Sequence, residues 1–321
     1  MTCIKVIKFH IIAIFLTLLI AEQASSDFLT SGFGARPVAL GRAFVSIPGD
    51  INSIFYNPAG LVGIDGIRIG SSYSILFPGM EDGGIGSSNI GLAGKLGSMG
   101  NFGIALTNLG ISNYRENMVY LSFSRKIFGK FSLGSSLKIL HWGSKGYRDP
   151  ETGESDKNLS FNGFSIDVGF YSRLTPSFFK LERFLKNGFM QVGFAIYDIN
   201  QPSIASNKSS DARLPLGVVG GISYIRDGMT LALSISRRES RTKFHFGFEF
   251  FLTRFEAKII SPDLIGRFGL IPKTGEGEHG AESDFGFGII TGDFKIDYTY
   301  VYALTLLDAG GSHKFSLVYS F

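Results

Sequence analysis

Alternation with a period of two, repeated in one short segment after another, restricts this chain more than any other feature. Between residues 241 and 251, Thr242, Phe244, Phe246, Phe248 and Phe250 fall on one face, and Arg241, Lys243, His245, Gly247 and Glu249 on the other. Successive side chains of a strand point to opposite sides, so such a run builds sheet with one apolar and one polar face. Residues 131–142 repeat the pattern, with Phe131, Leu133, Leu137 and Ile139 opposed by Ser132, Gly134, Ser136 and Lys138. So do Phe294, Ile296, Tyr298, Tyr300 and Tyr302 against Lys295, Asp297 and Thr299.

Similar runs occur at 67–77, 89–97, 101–110, 117–127, 160–172, 188–199, 213–225, 228–237, 284–291 and 313–321. Residues 254–271 hold two runs broken by Pro262. Taking those two as one bent strand gives about fourteen strands, an even number, and makes short links alternate with long ones around the chain. That is the pattern of a barrel with short turns at its periplasmic rim and long loops at its outer rim. The chain closes on KFSLVYSF, with Tyr319 and Phe321 aromatic, as the closing strand of a bacterial outer-membrane barrel does. The fold class expected is an all-β, transmembrane antiparallel barrel.

The beginning agrees with that compartment. Lys5 and Lys8 precede an apolar run from Phe9 to Ala21, and small polar residues follow around Ser25 and Ser26; this reads as a signal peptide over 1–26. The run is shorter than the roughly 20 apolar residues of a spanning helix. Cys3, the one cysteine, leaves with it, so the mature chain has neither a disulfide nor a thiol nucleophile. Removing Lys5, Lys8 and Glu22 leaves 29 basic and 26 acidic residues of the 31 and 27 in the full chain, a balance that does not point to nucleic acid. Glycine supplies 42 residues and Phe 31, while charged residues are 18 %. No stretch after the leader is long and apolar enough for a membrane helix, which leaves closed sheet as the way to satisfy the backbone in lipid.

Two stretches are not strand-like. Residues 175–188, TPSFFKLERFLKNG, carry Thr175 as a cap, Pro176 in the first turn and Gly188 as a stop, and predict a short amphipathic helix at the periplasmic rim. Residues 27–66 lie between leader and first strand, with Asp50 placed to cap a turn and Asn57-Pro58 marking another. Their expected place is the lumen, as a plug ahead of a barrel over 67–321.

Candidate chemistry is sparse. Arg241, Lys243 and His245 on the polar face of their strand would suit the carboxylate of an amphiphile. The acidic run 149–156 has oxygen ligands but not the spacing of a calcium loop. Residues 275–280, GEGEHG, fit GxGxxG without a helix to follow. His141, His245, His279 and His313 make no pair at metal-ligand spacing. No cofactor, metal or enzymatic activity is expected.

The stretch GARPVALGRAFVSIPGDINSIFYNPAGL, from Gly34 to Leu61, together with FKIDYTYVY and GGSHKFSLVYSF near the end, resembles the FadL-like outer-membrane proteins, in particular their PorV/PorQ branch. The resemblance implies a fourteen-stranded barrel with the N-terminal segment folded inside as a hatch. It places Gly34, Ala35, Gly41, Ala43, Phe44, Asp50, Asn57, Pro58, Ala59 and Gly60 in that hatch. Arg42, where relatives carry a small residue, joins the possible ligand contacts. The implied function is passage of hydrophobic or amphiphilic small molecules such as long-chain fatty acids. The alternative implied by PorV is a part in type IX secretion, binding and shuttling secreted proteins. Implied partners are outer-membrane lipid, a hydrophobic ligand and, through the strand ending in Phe321, the barrel-assembly machinery.

Overall fold

The computed structural model describes residues 32–79, 84–111, 113–147, 157–174, 188–204, 213–255, 261–272, 281–303 and 310–321. The expected signal peptide, the 175–188 helix apart from Gly188, and the motifs at 149–156 and 275–280 lie outside them.

Fourteen antiparallel strands close into one barrel in chain order. They are β1 (Ile67–Leu76), β2 (Ile85–Lys95), β3 (Asn101–Ile111), β4 (Tyr114–Phe128), β5 (Phe131–Tyr147), β6 (Lys157–Leu174) and β7 (Phe189–Tyr197) in the first half. The second half comprises β8 (Gly217–Arg226), β9 (Met229–Arg238), β10 (Arg241–Arg254), β11 (Asp263–Pro272), β12 (Ala281–Thr291), β13 (Phe294–Ala303) and β14 (Ser312–Ser320). Closure is made by β1 on β14, from Arg68 opposite Ser320 to Ile75 opposite His313, and the Phe321 N–H donates to the Ile67 carbonyl at 2.8 Å. Closure leaves no first or last strand unpaired, which is how a sheet satisfies its backbone in lipid.

The faces sort by parity as the sequence pattern requires. On β10, His245, Gly247 and Glu249 are buried, whereas Phe244 and Phe246 are exposed at 40 % and 41 %. On β14, Ser312, Lys314 and Ser316 point in and Phe315 and Leu317 point out. The outward side chains form a belt of Phe, Ile, Leu and Tyr, an arrangement suited to hydrocarbon rather than water.

One expected element is corrected. Residues 254–271 do not form a bent strand: β10 runs on to Arg254, and β11 starts only at Asp263. Pro262 stands just before β11, where its missing N–H costs no ladder bond, and its carbonyl accepts from the Phe255 N–H at 3.0 Å to close the link. The count of fourteen survives, but the alternation of short and long links is broken, because residues 255–262 separate β10 from β11 at the rim of short turns. Two links at the rim expected to carry long loops are nevertheless tight, between Ile111 and Tyr114 and between Arg238 and Arg241.

The β5–β6 hairpin is the tallest part of the wall, paired from Phe131↔Ser172 to Tyr147↔Lys157. β7 follows β6 only from Val168 to Leu174. Above that point the segment after β7 substitutes for a strand: Ile199 N–H donates to Ile166 O, and the Asn200 amide bridges Ile166 N–H and Phe164 O at 3.1 and 2.9 Å.

Residues 32–66 lie within the cylinder. They comprise a short helix Ala35–Ala39, a single turn Ser53–Tyr56 and a 3-10 turn Pro58–Gly63, none long enough to stand alone. Their stability comes from burial. Phe33, Ile51, Ile54, Leu61 and Ile64 form one cluster with Ala93, Ala105, Met118, Tyr120, Leu140 and Leu214, each fully buried Leu or Ile contributing about 1.5–3 kcal/mol. The interior is therefore not only the polar, wet space that strand alternation suggests; half of it is a packed apolar core. A cavity of about 10 Å³, room for about one water, remains between Ile51, Ile54 and Phe55 and the wall at Gly70, Ser72 and Asn89.

Candidate functional site: the filled lumen

The segment meets the wall at glycines, and these glycines stand opposite one another on adjacent strands. Gly70 faces Gly91 across β1–β2, Gly134 faces Gly169 across β5–β6, Gly193 faces Gly221 across β7–β8, and Gly247 faces Gly269 across β10–β11. Ile51 lies over the first pair, Asn57–Ala59 over the second, Val45 over the third and Leu40–Gly41 over the fourth. A Cβ at Gly134, Gly193 or Gly269 would fall onto backbone atoms of the segment. The side chain missing from the wall is the room in which the segment's backbone sits.

The expected hatch residues occupy these seats. Asn57 caps the 3-10 turn by accepting from the Ala59 N–H at 3.1 Å, and its amide donates to Val45 O and Phe170 O at 2.7 and 2.9 Å. Pro58 stands at the start of that turn, and the Gly60 carbonyl accepts from the Gly49 N–H at 2.9 Å. Gly41 has φ +59 and a Cβ there would strike Phe246 O and Leu270 N, so conformation and space both require glycine. Gly34 lies against the Asn52 amide. Ala35 is tied twice, its N–H to Ser316 Oγ at 2.7 Å and its carbonyl to Thr299 Oγ1 at 2.6 Å. Ala43 and Phe44 are buried in a cluster with Leu40, Ile47 and Ala232.

Charge is arranged in closed sets. Arg36 makes a two-pronged pair with Glu249 at 2.8 and 2.7 Å and reaches Asp50 at 2.9 Å. Glu249 also accepts from Arg267 at 2.6 Å; Arg267 Nη1 lies 2.8 Å from Asp297, off the hydrogen-bond line, and Lys295 stands 3.6 Å from both Asp50 and Asp297. Burial alone would raise the Asp50 carboxyl, but Lys295, Arg36 and the Asn52 N–H hold it well below the usual carboxylate range. A second set joins Lys138 to Asp167 at 2.7 Å and to Asp198, with Arg238 on Asp198 at 2.8 Å.

The four expected ligand contacts end up in different surroundings. Arg42 has φ +61 and pairs with Glu282, with Asp284 at 4.0 Å. Both ring nitrogens of His245 are engaged, Nδ1 with the Gly41 carbonyl and Nε2 with Ser236 Oγ, each at 2.8 Å; its place is an anchor for the segment. Arg241 is exposed at the start of β10, and Lys243 is half-buried near Glu282. Arg42, Lys243 and His245 gather around Glu282, whereas Arg241 stands apart at the exposed start of β10. Sequence reading placed Glu249, Lys138 and Asp297 on polar faces without assigning them a role and missed Arg267, Asp167 and Asp198; all but Asp198, which lies just past β7, are charges at inward parity positions flanked by apolar or small residues, and that pattern was the available signal.

No protein-family model and no curated protein sequence matches the chain. Solved structures do match. The toluene transporter TbuX of Ralstonia pickettii superposes with a TM-score of 0.62 at 13 % identity, covering 92 % of this chain and 100 % of that one. The toluene transporter TodX of Pseudomonas putida gives 0.57 at 10 % identity, covering 90 % and 98 %. A Pseudomonas aeruginosa FadL homologue gives 0.51 at 12 % identity, covering 88 % and 97 %. The chain has the FadL-type barrel fold. Agreement over nearly the full length of both chains, at identities this low, is agreement in architecture, and the PorV/PorQ branch has no counterpart among these structures.

Proposed function

We propose that this protein sits in a bacterial outer membrane and lets hydrophobic small molecules pass through its lumen by diffusion. The observation that carries the reading is a closed fourteen-strand wall with an apolar outer belt around an interior occupied by its own N-terminal segment, in the fold shared with two toluene transporters and a FadL homologue. The driving force would be the solute's preference for apolar surface. In this reading the rim of short links, which carries Gly66 and Phe321, faces the periplasm. Gly34, Gly41, Asp50, Asn57, Pro58, Ala59 and Gly60 would act as seats that hold the segment in register with the wall, and the solute would move past them.

The protein-secretion alternative draws no support from these neighbours. The test is uptake by intact cells: toluene and methyl oleate should enter faster in cells that make the protein than in matched cells that do not. The protein should also fractionate with the outer membrane and migrate differently on a gel before and after boiling. Equal uptake with and without it would end the transport reading, and co-purification of a secreted protein would favour the alternative.

A further inference from the structure

We infer that the lumen passes uncharged apolar molecules and turns away their carboxylates, so that free fatty acids are poor solutes; this rests on the transport reading above. The basis is how the interior charges are counted off against each other. In the set around Glu249, the cations Arg36, Arg267 and Lys295 face the carboxylates Glu249, Asp50 and Asp297, three against three. In the set around Asp198, Lys138 and Arg238 face Asp167 and Asp198, two against two. Toward the rim of long loops, Arg42 faces both Glu282 and Asp284 on β12, and Lys314 is buried on β14, beyond β13, with its ammonium on the Gly32 carbonyl at 3.1 Å.

A carboxylate leaving water needs a cation whose field is not already cancelled. Among the described residues Lys314 makes no ion pair and is spent on the Gly32 carbonyl and Ser74 Oγ; each of the other cations named stands against a carboxylate of the protein. An incoming anion would have to displace a buried partner, leaving that partner desolvated and unpaired. Arg241 is solvent-exposed and can draw an anion to the mouth, but in bulk water such attraction is screened and weak. Uncharged solutes meet no such electrostatic barrier, and Ile51, Ile54 and Phe55 line the small cavity beside the wall with apolar surface.

The test compares oleate with methyl oleate, and benzoate with toluene, in cells making the full chain and in matched cells lacking it. The ester and the hydrocarbon are expected to gain about tenfold or more over background, while the acids gain little, because entry of a carboxylate leaves a buried charge unpaired. Glu282→Gln, near the mouth, and Asp198→Asn, deeper in, each release cations from a partner and should raise oleate uptake severalfold relative to the parent. Gel migration before and after boiling shows whether each variant still closes. Equal gains for acid and ester in the parent would overturn the inference while leaving the transport reading intact. So would a closed Glu282→Gln barrel in which oleate uptake stays at the parental level. No gain for any of the four compounds would overturn both.

Discussion

At the scale of single residues, the interior depends on charges that have exchanged water for one another. Glu249 is held by Arg36 and Arg267 together. Replacing it by Gln leaves two buried guanidinium groups without their shared partner, and should cost about 3–5 kcal/mol, read as a fall in the denaturant midpoint of the barrel in lipid vesicles. Asp50 sets a pH dependence whose sign is fixed. Its carboxyl is held below the ordinary range in the folded state, so the stability it contributes is complete above the unfolded value and lost as pH falls through the folded one. An unperturbed Asp titrates at about 3.9. The Asp50 contribution should therefore be level from neutrality down to about that pH and be lost only in stronger acid, and Asp50→Asn should lessen the acid drop. A fall beginning at pH 6 in the parent, absent from the Asn variant, would show that Asp50 is not held by Arg36 and Lys295.

At the scale of elements, the N-terminal segment is held from all sides. Leu40 and Gly41 lie on β10–β11, Val45 on β7–β8, Ile51 on β1–β2 and Asn57–Ala59 on β5–β6, with hydrogen bonds at Ala35, Gly41 and Asn57 adding to the hold. Such a piece does not swing out as a unit under thermal energy. A Cβ on Gly247 would lie 2.6 Å from the Leu40 carbonyl oxygen and 2.9 Å from the Leu40 Cβ, so Gly247→Ala should push the segment off β10 and lower the denaturant midpoint of the barrel. An unchanged midpoint would mean that the segment does not depend on this seat. Strand existence was legible because alternation is local, whereas the 254–271 stretch was misread because Pro262 marks the entry to a strand as readily as a bend within one. The tall end of β5, from Trp142 to Tyr147, carries little alternation, and its ladders with β4 and β6 make it strand. Pairings such as Arg36 with Glu249, separated by 213 positions, depend on where the segment comes to rest, and no local pattern encodes that.

At the scale of the whole molecule, the belt of outward side chains makes a depth-dependent prediction. Leu137 is in the outward row of β5, with 40 % of its surface exposed, while Phe128, 76 % exposed, lies at the strand end by the short β4–β5 link. In lipid, Leu137→Arg should destabilise the barrel by about 2–4 kcal/mol and Phe128→Arg by about 0–1; equal penalties at both sites would argue against a bilayer around the wall. Fold class and strand number could be read from the chain, because successive period-two runs admit few arrangements. The choice of solute could not, since it depends on which interior charges cancel. The opposed glycines carry one last implication, for how the protein is made. A cylinder already shut offers no aperture through which four separate stretches of backbone can be threaded to their notches. The preface must therefore lie in place while the sheet is still an open ribbon, and the seam between first and last strands must be stitched around it. Production of a chain starting at residue 67 is expected to give ribbons that fail to shut, rather than an empty pipe.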